Sequence, residues 1–257
     1  MLFWLQREEP DKELDIDIRI LLDELHKQKY IHTYEFMSLD QVLSTHHDDS
    51  IIPVGTVEFV GAYLAKKYGI ANMNPIEVPD VLREDQFLKR KYSIVTKEEL
   101  PKSGYYFTKY VSKLKVFSHT GRIETLQFTD TGVEPYLQDG LYQVSEVVPI
   151  LSEYRCFVQG DNIKVINYYD GDCTVLPDIT TVQKMVNYYM KDVDRPKAYT
   201  MDIAVIDGRG TALLEVHPWV SVGLYGYMFG SYLPYCYRDG LDYYITTNKE
   251  VTPFSNF

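Results

Sequence analysis

The stretch AYTMDIAVIDGRGTALLEVHPW, residues 198–219, constrains this chain more than any other. Two runs of β-branched and apolar residues flank Asp207-Gly208-Arg209-Gly210, a turn composition that closes an antiparallel hairpin. Pairing Ile206 with Thr211 places Asp202 directly opposite Glu215 and Thr200 opposite His217. Side chains alternate across a strand, so Asp202, Glu215 and His217 then share one face. Directly opposed carboxylates sit about 5 Å apart and repel each other unless positive charge lies between them. A divalent cation is the natural occupant, because Mg²⁺ takes one or two protein carboxylates and completes its octahedron with water and substrate phosphates. The bland alternative is an exposed sheet face whose carboxylates are neutralised by nearby Lys or Arg. Taken alone, His217 reads more readily as a packed or surface histidine than as a ligand.

The rest of the chain supplies enough apolar material for one large core or two modest ones, with 257 residues of which 45% are hydrophobic. The net charge of −11 argues against a nucleic-acid partner held by counterion release. Cys156, Cys173 and Cys236 are odd in number and form no CxxC pair, which fits neither a disulfide framework nor a zinc knuckle and points to a reducing, cytoplasmic setting. The apolar run Met1–Leu5 meets Gln6, Arg7, Glu8 and Glu9 too soon for a signal-peptide core, and no stretch has membrane-spanning length. The 23 tyrosines are a bias towards strands and ligand-contacting surfaces.

Leu14, Ile18, Leu21, Leu22 and Leu25 fall at helical spacing within residues 11–29. Residues 50–68 read as a strand, a turn at Gly55, a cap at Thr56 and a helix ending at Gly69. Pro75, Pro79 and the polar run to Lys97 read as a crossover or boundary. Beyond Gly104 the texture is mostly strand, with 180–192 the clear helix. This predicts an N-terminal α/β domain over 1–92 and an α+β domain of mainly antiparallel strands over 93–257. The Tyr- and Phe-rich residues 233–257 are expected to cap the second domain or to make a dimer contact.

Lys109, Lys113 and Lys115 follow a Tyr-rich strand and precede Ser118-His119-Thr120-Gly121, read as a turn into another strand. Lysines with the backbone N–H groups of a small-residue turn can cradle phosphate oxygens, although a Lys-rich hairpin also serves as a solvated sheet edge. No GxSxG and no Cys–His arrangement points to a protein nucleophile; Cys156 lies in a strand that reads as core.

The string SEYRCFVQGDNIKVINYYD, residues 152–170, resembles the ATP-grasp superfamily. More narrowly, it is similar to the divergent clade that includes the eukaryotic assembly factor for translation initiation factor 2 and small stand-alone phage and bacterial proteins. The Glu-aromatic-Arg-Cys-Phe-Val strand carries the likeness, as does Asp202 followed by Glu215-Val216-His217, where the clade has an acidic-x-Asn tripeptide. Lys109, Lys115, Phe117 and Gly121 match the layout of the bacterial and phage branch. The resemblance spans roughly residues 50 to 230, with its motifs in order.

What the resemblance implies is an N-terminal α/β unit followed by two α+β subdomains that sandwich ATP. Lys109 and Lys115 would contact phosphates, with the Ser118–Gly121 turn closing over them. Ser145, Glu146, Val147 and Val148 would connect the subdomains and offer backbone groups to adenine. Arg155 would face the phosphates or an acyl phosphate, and Asp202, Glu215 and His217 would hold Mg²⁺. His217 stands where the clade has Asn; imidazole is the softer ligand, so either Mn²⁺ is also accepted or the histidine contacts a phosphate. Tyr169 replaces a basic residue found in some members.

The implied activity is an ADP-forming carboxylate–amine ligase acting on small-molecule or peptide substrates, with the acceptor near Ser50–Glu58. The alternatives are an ATP-binding assembly factor with a protein partner and a metal-dependent nuclease built on Asp202 and Glu215-x-His217. The acidic net charge weighs against the nuclease.

Overall fold

The apolar run at the N-terminus becomes strand β1 (Leu2–Gln6), the centre of a parallel sheet ordered β2-β1-β3. Phe3, Trp4 and Leu5 are all buried, as expected of a strand covered on both faces. β2 is Thr33–Met37 and β3 is Ile51–Val54. The protein is described by a computed structural model over residues 1–46, 51–114, 118–124, 127–128, 137–226 and 230–248.

Helices α1 (Ile16–Lys27), α2 (Leu39–Ser44) and α3 (Val57–Tyr68) connect and cover these strands. α3 has the boundaries its capping residues dictate. The Thr56 side chain accepts from the Phe59 N–H, and Gly69 takes φ 71° to close the C-terminus on Ala65. The stretch read as a crossover contains α4 (Asp85–Leu88) and β4 (Tyr92–Thr96).

Two antiparallel sheets follow. One is ordered β4-β8-β5-β6-β7, from β5 (Ser103–Tyr110), β6 (Ser118–Glu124), β7 (Gln127–Phe128) and β8 (Leu141–Glu146). The other is ordered β10-β9-β11-β12, from β9 (Ile150–Gln159), β10 (Asn162–Gly171), β11 (Ala198–Ile206) and β12 (Gly210–Pro218). α5 (Ile179–Tyr189) packs Val182, Met185, Val186 and Tyr189 onto Cys156, Met201 and Ile203 of this second sheet.

Two expectations are corrected. Residues 118–121 form the start of β6, not a turn: Lys109 pairs with Ser118 and Tyr106 with Gly121. Thr120 suits a strand and Ser118 tolerates one, so the strand paired with β5 already begins at Ser118.

The β11–β12 turn is also tighter than expected, with Ile206 opposite Gly210 rather than Thr211. Gly208 and Gly210 supply the positive φ angles of 65° and 78° that this turn requires. A bulge at Leu214 then inserts one residue into β12. Below the bulge Asp202 does face Glu215 and Thr200 does face His217.

The Tyr-rich stretch from residue 233, expected to cap the second domain or to make a dimer contact, forms α6 (Leu233–Asn248). Leu233, Cys236, Tyr237, Leu241, Tyr244 and Ile245 recur with helical period and are buried in the cluster that joins the N-terminal unit to Phe157, Ala198 and Trp219 of the second half. A Cβ on Gly240 would lie 2.3 Å from the Trp219 carbonyl oxygen, so glycine there lets the helix approach the chain after β12. None of the described helices is long and apolar enough to cross a membrane.

His32 is buried at 3% exposure between the edges of Phe3 and Tyr235, with neither ring nitrogen partnered among the described residues. Burial, helped by the Met1 ammonium, lowers its pKa. The unfolded chain therefore takes up this proton first as pH falls. Stability from a neutral His32 is complete above about pH 6.5 and lost below it, by up to about 1.4 kcal/mol per pH unit. His32→Phe is expected to flatten the fall in urea midpoint between pH 7 and pH 5; an unaltered slope would contradict this assignment.

Candidate active site

The register of the second sheet brings four polar side chains into one row. Asn167, Arg155, Asp202 and Glu215 are successive cross-strand partners on β10, β9, β11 and β12. His217 lies one pair further along the same face, opposite Thr200. The opposing wall comes from the other sheet, where alternation turns Phe107 and Lys109 of β5, Ser118 and Thr120 of β6, and Gln143 and Ser145 of β8 into the same cleft. The cavity between these walls measures about 430 Å³ and is closed at one side by Glu146, Val147 and Val148 of the connecting segment.

Charge inside the cleft is densely paired. Arg155 donates from Nε and NH2 to the two Asp202 carboxylate oxygens, each at 2.7 Å, and from NH1 to the Gly223 carbonyl at 3.1 Å. Its guanidinium lies 4.8 Å from the Tyr225 ring centre, and Tyr225 is stacked on Tyr169. His217 Nε2 is 2.9 Å from Glu215 Oε1 and 3.7 Å from Asp202 Oδ2. Lys109 bridges Glu215 and Glu77, the latter at 2.9 Å.

Burial opposes ionisation of Glu215, yet His217 and Lys109 hold its carboxyl well below the usual carboxylate range. Burial likewise favours a neutral imidazole, but Glu215 and Asp202 outweigh it and push His217 up to about 9. Burial dominates at Glu77 and Glu153, raising both.

One ligand atom each from Asp202, Glu215 and His217 lies within 4.8 Å of the other two. At metal–ligand distances of about 2.1 Å, ligands of an octahedral ion are separated by about 3 to 4 Å. The two oxygens and one nitrogen are of donor types that a divalent cation takes, and small side-chain shifts would bring all three within that spacing.

The remaining expected residues are placed as follows. Ser118 lines this cavity and a second one of about 520 Å³ on the other side of Lys109. Gly121 is buried within β6 and is not part of the cleft lining. Lys115 lies outside the described residues. Ser145 is buried at the end of β8, and Val147 and Val148 line the cleft. The Glu146 carboxylate is tied to Arg209 in the β11–β12 turn at 2.7 and 3.0 Å, an interaction that, with the Lys91 N–H, pulls its pKa down to about 2. Tyr169, in place of a base, donates its hydroxyl to Glu153 at 2.6 Å.

The second cavity receives Arg155, His217 and Glu77, and shares Val57, Ser221, Val222 and Gly223 with a third of about 400 Å³. Thr56 and Glu58, at the β3–α3 junction, line the third; Ser50 is outside the described residues.

Sequence reasoning missed Glu77, Arg90, Gln143 and Glu153. Glu77 carries an unusual φ of 56° and accepts the Val216 N–H at 2.7 Å, which places its buried carboxylate beside Lys109. Arg90 donates to the Leu213 carbonyl at 2.6 Å and the Leu214 carbonyl at 3.1 Å, holding the bulge that sets Asp202 against Glu215. No local pattern announces either residue, because each acts through a partner more than a hundred positions away.

Two antiparallel α+β layers closing on a cleft, with opposed carboxylates on one wall and a lysine on the other, define the ATP-grasp class. The architecture is similar to that of D-cycloserine synthetase DcsG, with a TM-score of 0.56 and 10% identity over 97% of this chain and 99% of that one. It is also similar to the D-alanine–D-alanine ligase from Bacillus anthracis, with a TM-score of 0.52 and 12% identity over 98% of each chain. No curated protein sequence matches the chain. Residues 87–234, more than half of the chain, match the model of the ATP-grasp domain, R(2)K clade family 2, and the protein belongs to that family.

Proposed function

We propose that the protein is an ATP-dependent ligase that activates a carboxylate as an acyl phosphate and joins it to an amine, with release of ADP and phosphate. The reading is carried by the opposed pair Asp202 and Glu215, with His217 beside them, on the wall of a cleft whose other wall presents Lys109. In such a reaction the γ-phosphoryl group passes to a carboxylate oxygen, and the amine then attacks the acyl carbon and expels phosphate. No protein nucleophile is required. The demands are charge neutralisation, in-line placement and exclusion of water.

Mg²⁺ held by Asp202, Glu215 and His217 would supply positive charge at the transferring phosphoryl oxygens. Lys109 neutralises phosphate from the facing wall, and Lys115 is assigned the same role. Arg155, anchored on Asp202, presents its remaining edge towards the second cavity, where the acyl phosphate would meet the amine. The backbone of 145–148 is assigned to the base and Ser118 to the phosphates. Substrate binding is assigned to the second and third cavities, because they adjoin Lys109, Arg155 and His217. That one structural relative is a D-alanine–D-alanine ligase and another a D-cycloserine synthetase agrees with this reading.

Calorimetry with ATP and Mg²⁺, followed by ADP release against pools of amino acids and polyamines, tests it. Tight binding with ADP release raised by one pool is the expected result; binding without turnover towards any acceptor would favour the assembly-factor alternative. Lys109→Ala should weaken ATP binding about tenfold or more, the scale of one charge-assisted hydrogen bond. Unchanged affinity in that variant would remove Lys109 from the phosphate site.

A further inference from the structure

Gln143 is a cleft residue whose chemistry is not accounted for above. It lies in the middle of β8, between Ile94 of β4 and Lys109 of β5, and strand alternation turns its side chain into the 430 Å³ cavity together with Ser145. Only 3% of the residue is exposed, and its Oε1 has no hydrogen-bond partner among the described residues. A buried amide oxygen left without a donor is unfavourable, and such groups in native proteins call for a specific explanation. Lys109, its neighbour across the strand, does not provide one: its ammonium is turned towards Glu77 and Glu215.

The surroundings indicate what the amide is for. Phe107, Val148, Ile150 and Leu214 line the same cavity and offer apolar surface on which a flat ring can rest. A base lying there needs its polar edge read by a group in the wall. A primary amide presents a donor and an acceptor side by side, which matches the N7 acceptor and N6 amino donor of adenine in a bidentate pair. Guanine shows two acceptors, N7 and O6, along that edge. One amide cannot satisfy both in either of its two orientations, so the discrimination does not depend on which way the amide is assigned.

We infer that Gln143 is a specificity-determining residue that selects adenine over guanine nucleotides through the N6/N7 edge of the base. The inference rests on the nucleotide-binding reading proposed above and extends it from the connecting backbone to a particular side chain.

The test compares ATP, 7-deaza-ATP and GTP by calorimetry with wild-type protein, Gln143→Met and Gln143→Glu. Wild type should bind ATP about tenfold or more tighter than either analogue, the scale expected of a bidentate base contact. Gln143→Met should lose about that factor for ATP and bind ATP and 7-deaza-ATP alike. Gln143→Glu, an acceptor only, should bind 7-deaza-ATP at least as tightly as ATP, because a carboxylate oxygen then faces the N7 lone pair of ATP, while still rejecting GTP. The glutamate variant keeps the test decisive if the methionine variant does not fold. Equal binding of all three nucleotides by wild type would overturn the inference and leave nucleotide binding intact. So would discrimination that persists unaltered in both variants. Failure of wild type to bind any of the three would instead overturn the nucleotide reading itself.

Discussion

Glu215→Gln is expected to abolish divalent-cation-dependent ADP formation, lowering the rate on the order of a thousandfold or more, while circular dichroism remains that of wild type. A bound cation stabilises charge on a transferring phosphoryl group by several kcal/mol, and each 1.4 kcal/mol is tenfold in rate. Glu215 supplies one of the two opposed carboxylates and contacts both His217 and Lys109. The amide keeps the shape and removes the charge, so the loss falls on turnover before it falls on folding. Wild-type rates in this variant, measured by coupled ADP release with Mg²⁺, would refute the cation-site assignment.

A second large effect is expected on stability. Asp202→Ala leaves the Arg155 guanidinium buried without its carboxylate, a situation that costs about 3 to 5 kcal/mol in other proteins. The pair is doubly hydrogen-bonded, and both side chains are less than one-tenth exposed. Equilibrium urea unfolding should show that loss. The double replacement Arg155→Met with Asp202→Leu should recover most of it, because an apolar pair of similar volume carries no unpaired charge. A cost below about 1 kcal/mol for Asp202→Ala would mean that the guanidinium finds water or another partner. The two predictions separate the roles of the carboxylates: Glu215 is read out in turnover and Asp202 first in stability.

Much of this arrangement was legible in the sequence where local physics governs. Thr56 and Gly69 set the ends of α3, because a cap and a left-handed glycine act over a single turn of chain. The alternation on β11 and β12 brought Asp202, Glu215 and His217 to one face, since a strand has a period of two in any setting. The detail was less secure. Expected register at the turn and observed register at the site agree only because the tighter turn is offset by the bulge at Leu214. α6 carries a helical period in its buried residues, yet its tyrosines and Gly240 disguised it as a tail.

Composition and pattern by themselves determined the antiparallel character of the second half and the acidic pair with its histidine. Those follow from side-chain periodicity and charge, which act between residues close in sequence. Only the tertiary structure decided that Glu77 would share Lys109 with Glu215, that Arg90 would hold the bulge, that Arg155 would grip Asp202, and that Gln143 would be buried with its oxygen unpaired. Each of these depends on which face of one sheet meets which face of another. That meeting is set by burying whole apolar surfaces, so no short stretch of the chain encodes it.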